Sequence, residues 1–254
     1  MRGKCLFGPI RSRRLGSSLG INLTPYKTCD LDCVYCECGF TTFLTMERRE
    51  YISKEEVIES LSRYRESARF RENPPAYLTF AGFGEPTLNS GFGEIVRFIK
   101  GHFPGNRLAL ITNGTLFGYY PELFSELRGI DLIVPSLDAG REGTFHQVNR
   151  PHPALDFGRY VEGLVRLRDC FRGEIWLEVF MVEGINDTEE ELETLRENIR
   201  RIVPHRVHIN SVDRNPAENW VRAPSFRKLQ EIARFLKGEV IVSSPSCVLT
   251  PPPS

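Results

Sequence analysis

The chain has 254 residues, of which 41% are hydrophobic and 26% charged, enough apolar material to bury a core and too much to leave the chain disordered. Lys plus Arg and Asp plus Glu stand at 33 each, so no net field draws the protein to nucleic acid or to an acidic membrane surface. No run of about eighteen apolar residues occurs and the first residues lack an apolar leader core, which argues against membrane spanning and export and sets the expectation of a cytoplasmic protein in a reducing compartment.

Short β-branched runs alternate with longer amphipathic stretches, the pattern of repeated β/α units around a parallel sheet. The spacing predicts six strands, over 20–23, 77–81, 108–112, 132–136, 175–180 and 206–209. Ser53-Lys-Glu-Glu56 reads as a capping box opening a helix that buries Val57, Ile58, Leu61 and Tyr64. Asp187-Thr-Glu-Glu190 puts acidic residues at the start of a second helix, with Leu192, Leu195 and Ile199 as its apolar stripe. The chain is read as one domain over 1–254: an N-terminal extension to residue 19, a core over 20–222, and a C-terminal helix, strand and tail. Most strands run directly into a polar or Gly-rich segment, at Gly82-Phe-Gly-Glu85, Thr112-Asn-Gly114, Ser136-Leu-Asp138, Gly184-Ile-Asn-Asp187 and Asn210-Ser-Val-Asp213. In α/β folds the C-terminal strand ends are where chemistry gathers.

Four of the seven cysteines crowd between Cys29 and Cys38, too unevenly for a disulfide framework and well suited to metal. Cys29, Cys33 and Cys36 supply three thiolates within eight residues, directly after the first predicted strand. Iron–sulfur clusters usually take four cysteines, so a three-cysteine loop leaves one iron open to a ligand that is not protein. Structural zinc with Cys38 as fourth ligand, and a redox dithiol at Cys33 and Cys36, compete with this reading. The first would pair two distant knuckles; the second needs neither Cys29 nor the Gly-rich segment. A methyltransferase resting on that Gly-rich segment alone is a further alternative, and would not need the cysteines.

Cys-x3-Cys-x2-Cys with Tyr35 before the last cysteine resembles the signature of the radical S-adenosylmethionine (SAM) superfamily. That resemblance implies a partial (β/α)6 barrel of parallel strands, with a [4Fe-4S] cluster on Cys29, Cys33 and Cys36 and SAM on the open iron. In such enzymes the cluster cleaves SAM reductively to a 5'-deoxyadenosyl radical that takes hydrogen from substrate. It further implies an electron donor such as flavodoxin or ferredoxin. Gly82, Gly84 and Glu85 resemble the family's Gly-Gly-Glu segment, departing from it at Phe83 and Gly84; backbone there, with Glu85, is expected to meet the amino group of SAM. Thr112 and Asn113, and Ser136 and Asp138, resemble segments that bind ribose and the methionine carboxylate; Asn149 with Arg150 is suited to hold the SAM carboxylate through a charge-assisted bond, the alternative being a solvated arginine before Pro151.

The stretch from Phe7 to Leu23, with Gly184-Ile-Asn-Asp187 and the run from Asn210 to Glu218, resembles one branch of the superfamily, the wyosine-synthase-like proteins. Wyosine synthases modify tRNA, carry a second cluster on extra upstream cysteines and use a lysine to capture pyruvate. Only Cys5 lies upstream of Cys29 here, and Arg11, Arg13 and Arg14 are the densest basic run, so a tRNA substrate or a protein partner to activate stays a variant. Arg13 and Arg14 are expected to pin their segment through acidic partners, Lys27 to be solvated, His208 to be a satisfied core histidine, and Cys5, Cys38, Cys170 and Cys247 to bind no metal.

Overall fold

The structure, a computed structural model, describes residues 5–242; Cys247 lies outside them. An antiparallel hairpin opens the fold, β1 (Leu6–Ser12) and β2 (Gly16–Ile21), followed by a small parallel pair, β3 (Thr28–Cys29) and β4 (Phe43–Leu44). Then strands and helices alternate: α1 (Lys54–Glu66), α2 (Ala68–Glu72), β5 (Tyr77–Phe80), α3 (Phe92–His102), β6 (Arg107–Thr112), α4 (Leu123–Glu126), β7 (Leu132–Pro135), α5 (Glu142–Asn149), α6 (Phe157–Cys170), β8 (Glu174–Phe180), α7 (Glu189–Ile202), β9 (Arg206–Asn210), α8 (Phe226–Leu236) and β10 (Glu239–Val240). One sheet holds eight strands in the order β1-β2-β5-β6-β7-β8-β9-β10. All its pairings except β1 with β2 are parallel. This is the expected α/β partial barrel, its six predicted strands at β2 and β5 to β9.

Local chemistry sets the helix starts. Ser53 caps α1 by accepting from the Glu56 backbone N–H, and Thr188 caps α7 by accepting from that of Glu191, with Glu189, Glu190 and Glu191 in the first turn, where the helix dipole favours negative charge.

Alternation along the strands separates two apolar layers. Leu78, Phe80, Leu108, Leu110 and Ile133 face the helices in the main core. Their neighbours Tyr77, Ala109, Leu132 and Val134 form a second cluster with Trp176 and with Leu15 from the β1–β2 turn. Leu15 therefore reaches across the sheet from its first edge to the side of β8. Arg14 bonds to Glu178 of β8, and Arg13 to Asp213 beyond β9. Strands four and five places apart in the sheet can share these contacts only if the sheet curls until its edges face each other. The two arginines thus act as the expected pins, and they latch the open seam of the barrel.

Candidate functional site

At the end of β2 the chain enters the cysteine loop through Lys27, whose φ is +54°. Turns bonded from Cys36 N to Cys33 O (3.1 Å) and from Gly39 N to Cys36 O (3.0 Å) fold the loop back so that Cys29, Cys33 and Cys36 line one cavity. Two further bonds, from Asp32 N to Asn149 O (3.0 Å) and from Val34 N to Val148 O (2.9 Å), fasten the loop to the end of α5. On its other side the Gly-rich segment after β5 lies alongside, with Lys27 N donating to Phe83 O at 2.7 Å and Glu85 N to Thr28 O at 3.1 Å. A Cβ on Gly84 would stand 1.9 Å from Thr28 O, so only glycine allows this approach. The segment after β9 straps the loop from a third direction: Glu218 N donates to Val34 O at 3.0 Å, Glu218 pairs with Arg150 at 2.6 Å, and Arg214 pairs with Glu37 at 3.1 Å.

A cavity of about 230 Å³ opens between these segments, lined by Lys27, Cys29, Cys33, Tyr35, Cys36, Cys38, Gly82, Gly84, Glu85, Thr112, Asn113 and Ser136 among others. Sequence elements drawn from residues 27 to 136 thus meet at the C-terminal ends of β2, β5, β6 and β7. Asp138 and Asn149 do not line it. Both are 2% exposed and form the wall behind: Asp138 accepts from Tyr35 Oη, from Asn149 Nδ2 (2.7 Å) and from Phe180 N (2.8 Å). Tyr35 stacks on Phe180 with centroids 3.8 Å apart, which closes the wall with two aromatic faces.

Each of the three thiols meets its own N–H donor. Lys27 Nζ is 3.0 Å from Cys36 Sγ, Asn149 Nδ2 3.4 Å from Cys33 Sγ, and Asn113 Nδ2 3.7 Å from Cys29 Sγ. Such donors favour sulfur in its anionic form, the form that binds metal. Cys36 is held down to about 5 by hydrogen bonding from the Cys38 thiol and then by the Lys27 ammonium, whereas burial pushes Cys29 and Cys33 up. Cys38 lines the same cavity with its Sγ 3.8 Å from Gly82 O. Among the described residues no three His, Cys, Asp or Glu are gathered tightly enough for a single ion. Cysteine thiolates are the ligands of iron–sulfur clusters, and three that line one cavity fit such a group. Among the described residues Asn149 Oδ1 is a buried acceptor without a partner in this wall.

Sequence reasoning missed three features. Glu85 does not present a free carboxylate: it accepts from Thr87 N (3.0 Å), Thr87 Oγ1 (2.6 Å), Thr112 Oγ1 (2.7 Å) and Asn113 N (2.8 Å). It braces the ends of β5 and β6, leaving backbone carbonyls of the glycine segment to meet a cation. Burial, and then the nearby Asp30 carboxylate, push it up to about 7. Asp30, fully buried, ties Thr115 and Asn113 beneath Cys29. Lys27, expected in solvent, is 3% exposed, since the Gly-rich segment covers it. His208 is buried as expected, but among the described residues its Nδ1 finds no acceptor or donor, while Nε2 lies 3.2 Å from Glu239. Among the described residues no helix is long and apolar enough to cross a membrane.

A model of the radical SAM superfamily matches residues 23–199. UPF0026 proteins of Methanocaldococcus jannaschii and Helicobacter pylori are 33% and 31% identical over 89% and 96% of this chain, which covers 69% and 77% of theirs. A Brachyspira hyodysenteriae protein named GTPase Obg is 35% identical over 93% of this chain, yet the chain spans only 34% of that relative. The 254 residues contain no Gly-x4-Gly-Lys-Ser/Thr phosphate loop of the kind that binds GTP. Among solved structures, a radical SAM methyltransferase from Sphaerobacter thermophilus superposes with a TM-score of 0.68 at 16% identity, over 88% of this chain and 66% of its own. TYW1 with a lysine–pyruvate adduct bound gives 0.62 at 16% identity, over 88% and 74%.

Proposed function

The chain belongs to the radical SAM superfamily and to the UPF0026 proteins, and from that premise we propose that Cys29, Cys33 and Cys36 hold a [4Fe-4S] cluster with one iron left for SAM. Together the cluster and SAM supply a one-electron cleavage that yields a 5'-deoxyadenosyl radical, able to take hydrogen from an otherwise inert carbon. The residues of this chain do the rest. Lys27, Asn113 and Asn149 orient the three thiolates. Backbone carbonyls of Gly82 to Gly84 receive the amino group of SAM, while Thr112, Asn113 and Ser136 offer short polar groups to its ribose and carboxylate. The Tyr35–Phe180 stack excludes water from the cavity's rear wall. Asp138 holds Tyr35 and Asn149 in place from behind the cavity, and Asn149 in turn reaches the Cys33 thiol through its Nδ2.

The observation that carries this reading is the convergence of three thiols, each with its own N–H donor, on one cavity lined by the glycine segment. A one-electron donor such as flavodoxin or ferredoxin is the partner the chemistry requires, and the reducing cytoplasm is where such donors and such a cluster belong. The continuous eight-stranded sheet supports reading the chain as one domain. A tRNA substrate stays the variant reading: Arg14 is engaged by Glu178, while Arg13, paired with Asp213, keeps a side chain 43% exposed and within reach of a phosphate.

Anaerobic reconstitution with iron and sulfide, followed by SAM and dithionite, tests the proposal. The expected result is a four-iron cluster and 5'-deoxyadenosine, both lost in Cys33→Ala and both kept in Cys38→Ala. Tightly bound zinc with SAM left intact would overturn it.

A further inference from the structure

Lys27 is the one charged donor among the three that face the thiols. Its ammonium is buried, and its only hydrogen-bond acceptor among the described residues is Cys36 Sγ, at 3.0 Å. The amides of Asn113 and Asn149, which face Cys29 and Cys33, are neutral. Nor is the lysine there by chance of a flexible stem. Its N–H donates to Phe83 O at 2.7 Å, its carbonyl accepts from Thr42 N and Phe43 N at 3.1 Å each, and its φ of +54° is a conformation that a lysine takes only where its surroundings impose it. A buried ammonium is strongly unfavourable without an anion beside it. The anion that the fold provides is the thiolate set.

Three thiolates exceed the two positive charges of an oxidised four-iron, four-sulfide core by one negative charge, the carboxylates of Asp30 and Glu85 lie on the same side of the balance, and the Lys27 ammonium is the cation held against the thiols. Adding an electron makes the site more negative, so a fixed cation at this position favours the reduced state. We propose that Lys27 is a positioning residue for the cluster, its ammonium held against the Cys36 thiolate to offset the cluster's surplus negative charge and raise its reduction potential. This rests on the cluster reading above. It assigns to Lys27 a role in supplying the electron, distinct from binding SAM or substrate.

The test is an EPR-monitored redox titration of the reconstituted full chain beside Lys27→Gln and Lys27→Arg. Removing the charge is expected to lower the equilibrium constant for reduction at least tenfold, which is 59 mV for a one-electron couple, while Lys27→Arg stays within threefold of the natural chain. A Lys27→Gln cluster of full iron content and unchanged potential overturns the proposal and leaves the cluster reading intact. No cluster in the natural chain overturns that reading itself. If Lys27→Gln takes up no iron, pulsed EPR on the reduced natural chain labelled with 15N-lysine decides. A lysine nitrogen coupled to the cluster is expected, and its absence refutes the contact.

Discussion

Replacing Gly84 by alanine sets a methyl group against the backbone of the cysteine loop. The added Cβ would stand 1.9 Å from Thr28 O and 2.6 Å from Thr24 Oγ1, where ordinary contact begins at 3.4 Å. Thr28 O is backbone and cannot swing aside, so the glycine segment must lift by more than an ångström. The lift breaks the bonds from Lys27 N to Phe83 O and from Glu85 N to Thr28 O. Overpacking costs about 1–3 kcal/mol and each of the two lost bonds about 1 kcal/mol, so Gly84→Ala is expected to lose about 3–5 kcal/mol. Urea denaturation of the cluster-free chain reads this as a fall of about 1–1.7 M in midpoint at unchanged m, taking m as about 3 kcal/mol/M. Iron uptake on reconstitution is expected to fall with it. A midpoint and iron content equal to those of the natural chain would refute the close approach on which the site's geometry depends.

Glu85→Gln tests the buried carboxylate in the cluster-free chain. The folded-state value is raised from 4.5 to about 7, so the folded form keeps a proton that the unfolded form releases. Its contribution is full below pH 4.5 and is lost as pH rises towards 7, a relative loss on the order of 3 kcal/mol that Glu85→Gln should not share; parallel stability curves over that window would contradict it. Arg14 and Glu178 have side chains only 17% and 14% exposed, so a double-mutant cycle of Arg14→Met and Glu178→Gln is expected to show a coupling of about 1–3 kcal/mol. A coupling below about 0.3 kcal/mol, within the scatter of independent sites, would remove the latch. Leu15→Ala, which empties the tip of the hairpin from the second apolar cluster, is expected to cost about 2–4 kcal/mol and to lower Tm by about 6–12 °C; an unchanged Tm in calorimetry would mean that the tip is not packed.

The parallel strands were legible because each is a short apolar run ending in polar residues. The structure moves most of their ends by a single residue, as with 108–112 against Arg107–Thr112 and 206–209 against Arg206–Asn210. The first strand was misplaced, 20–23 against Gly16–Ile21, and β1 was missed altogether. Phe7-Gly-Pro-Ile-Arg-Ser carries no alternation, because β1 is an edge strand whose partner and bulge decide its shape. The cavity was legible where residue type and place at a strand end agree, as for the cysteines, Gly82 to Glu85, Thr112, Asn113 and Ser136. Side-chain depth was not. Asp138 and Asn149 occupy plausible positions, yet they bond each other behind the cavity, Asn149 reaching only the Cys33 thiol, and nothing in the sequence reveals that pairing. Lys27 shows the reverse: a lysine in a proline-containing loop reads as solvated until the covering segment, more than fifty residues on, is known.

The seam latch has a consequence in time. Arg13 and its partner Asp213 are 200 residues apart, and Arg14 and Glu178 are 164 apart. At ribosomal rates of about 5–20 residues per second, the hairpin tip waits roughly 10–40 s for Asp213 to be made. Glu218, which straps Val34 of the cysteine loop, comes later still. The cysteine loop is therefore made well before the residues that enclose it, and it stands without its Glu218 strap until that segment has followed.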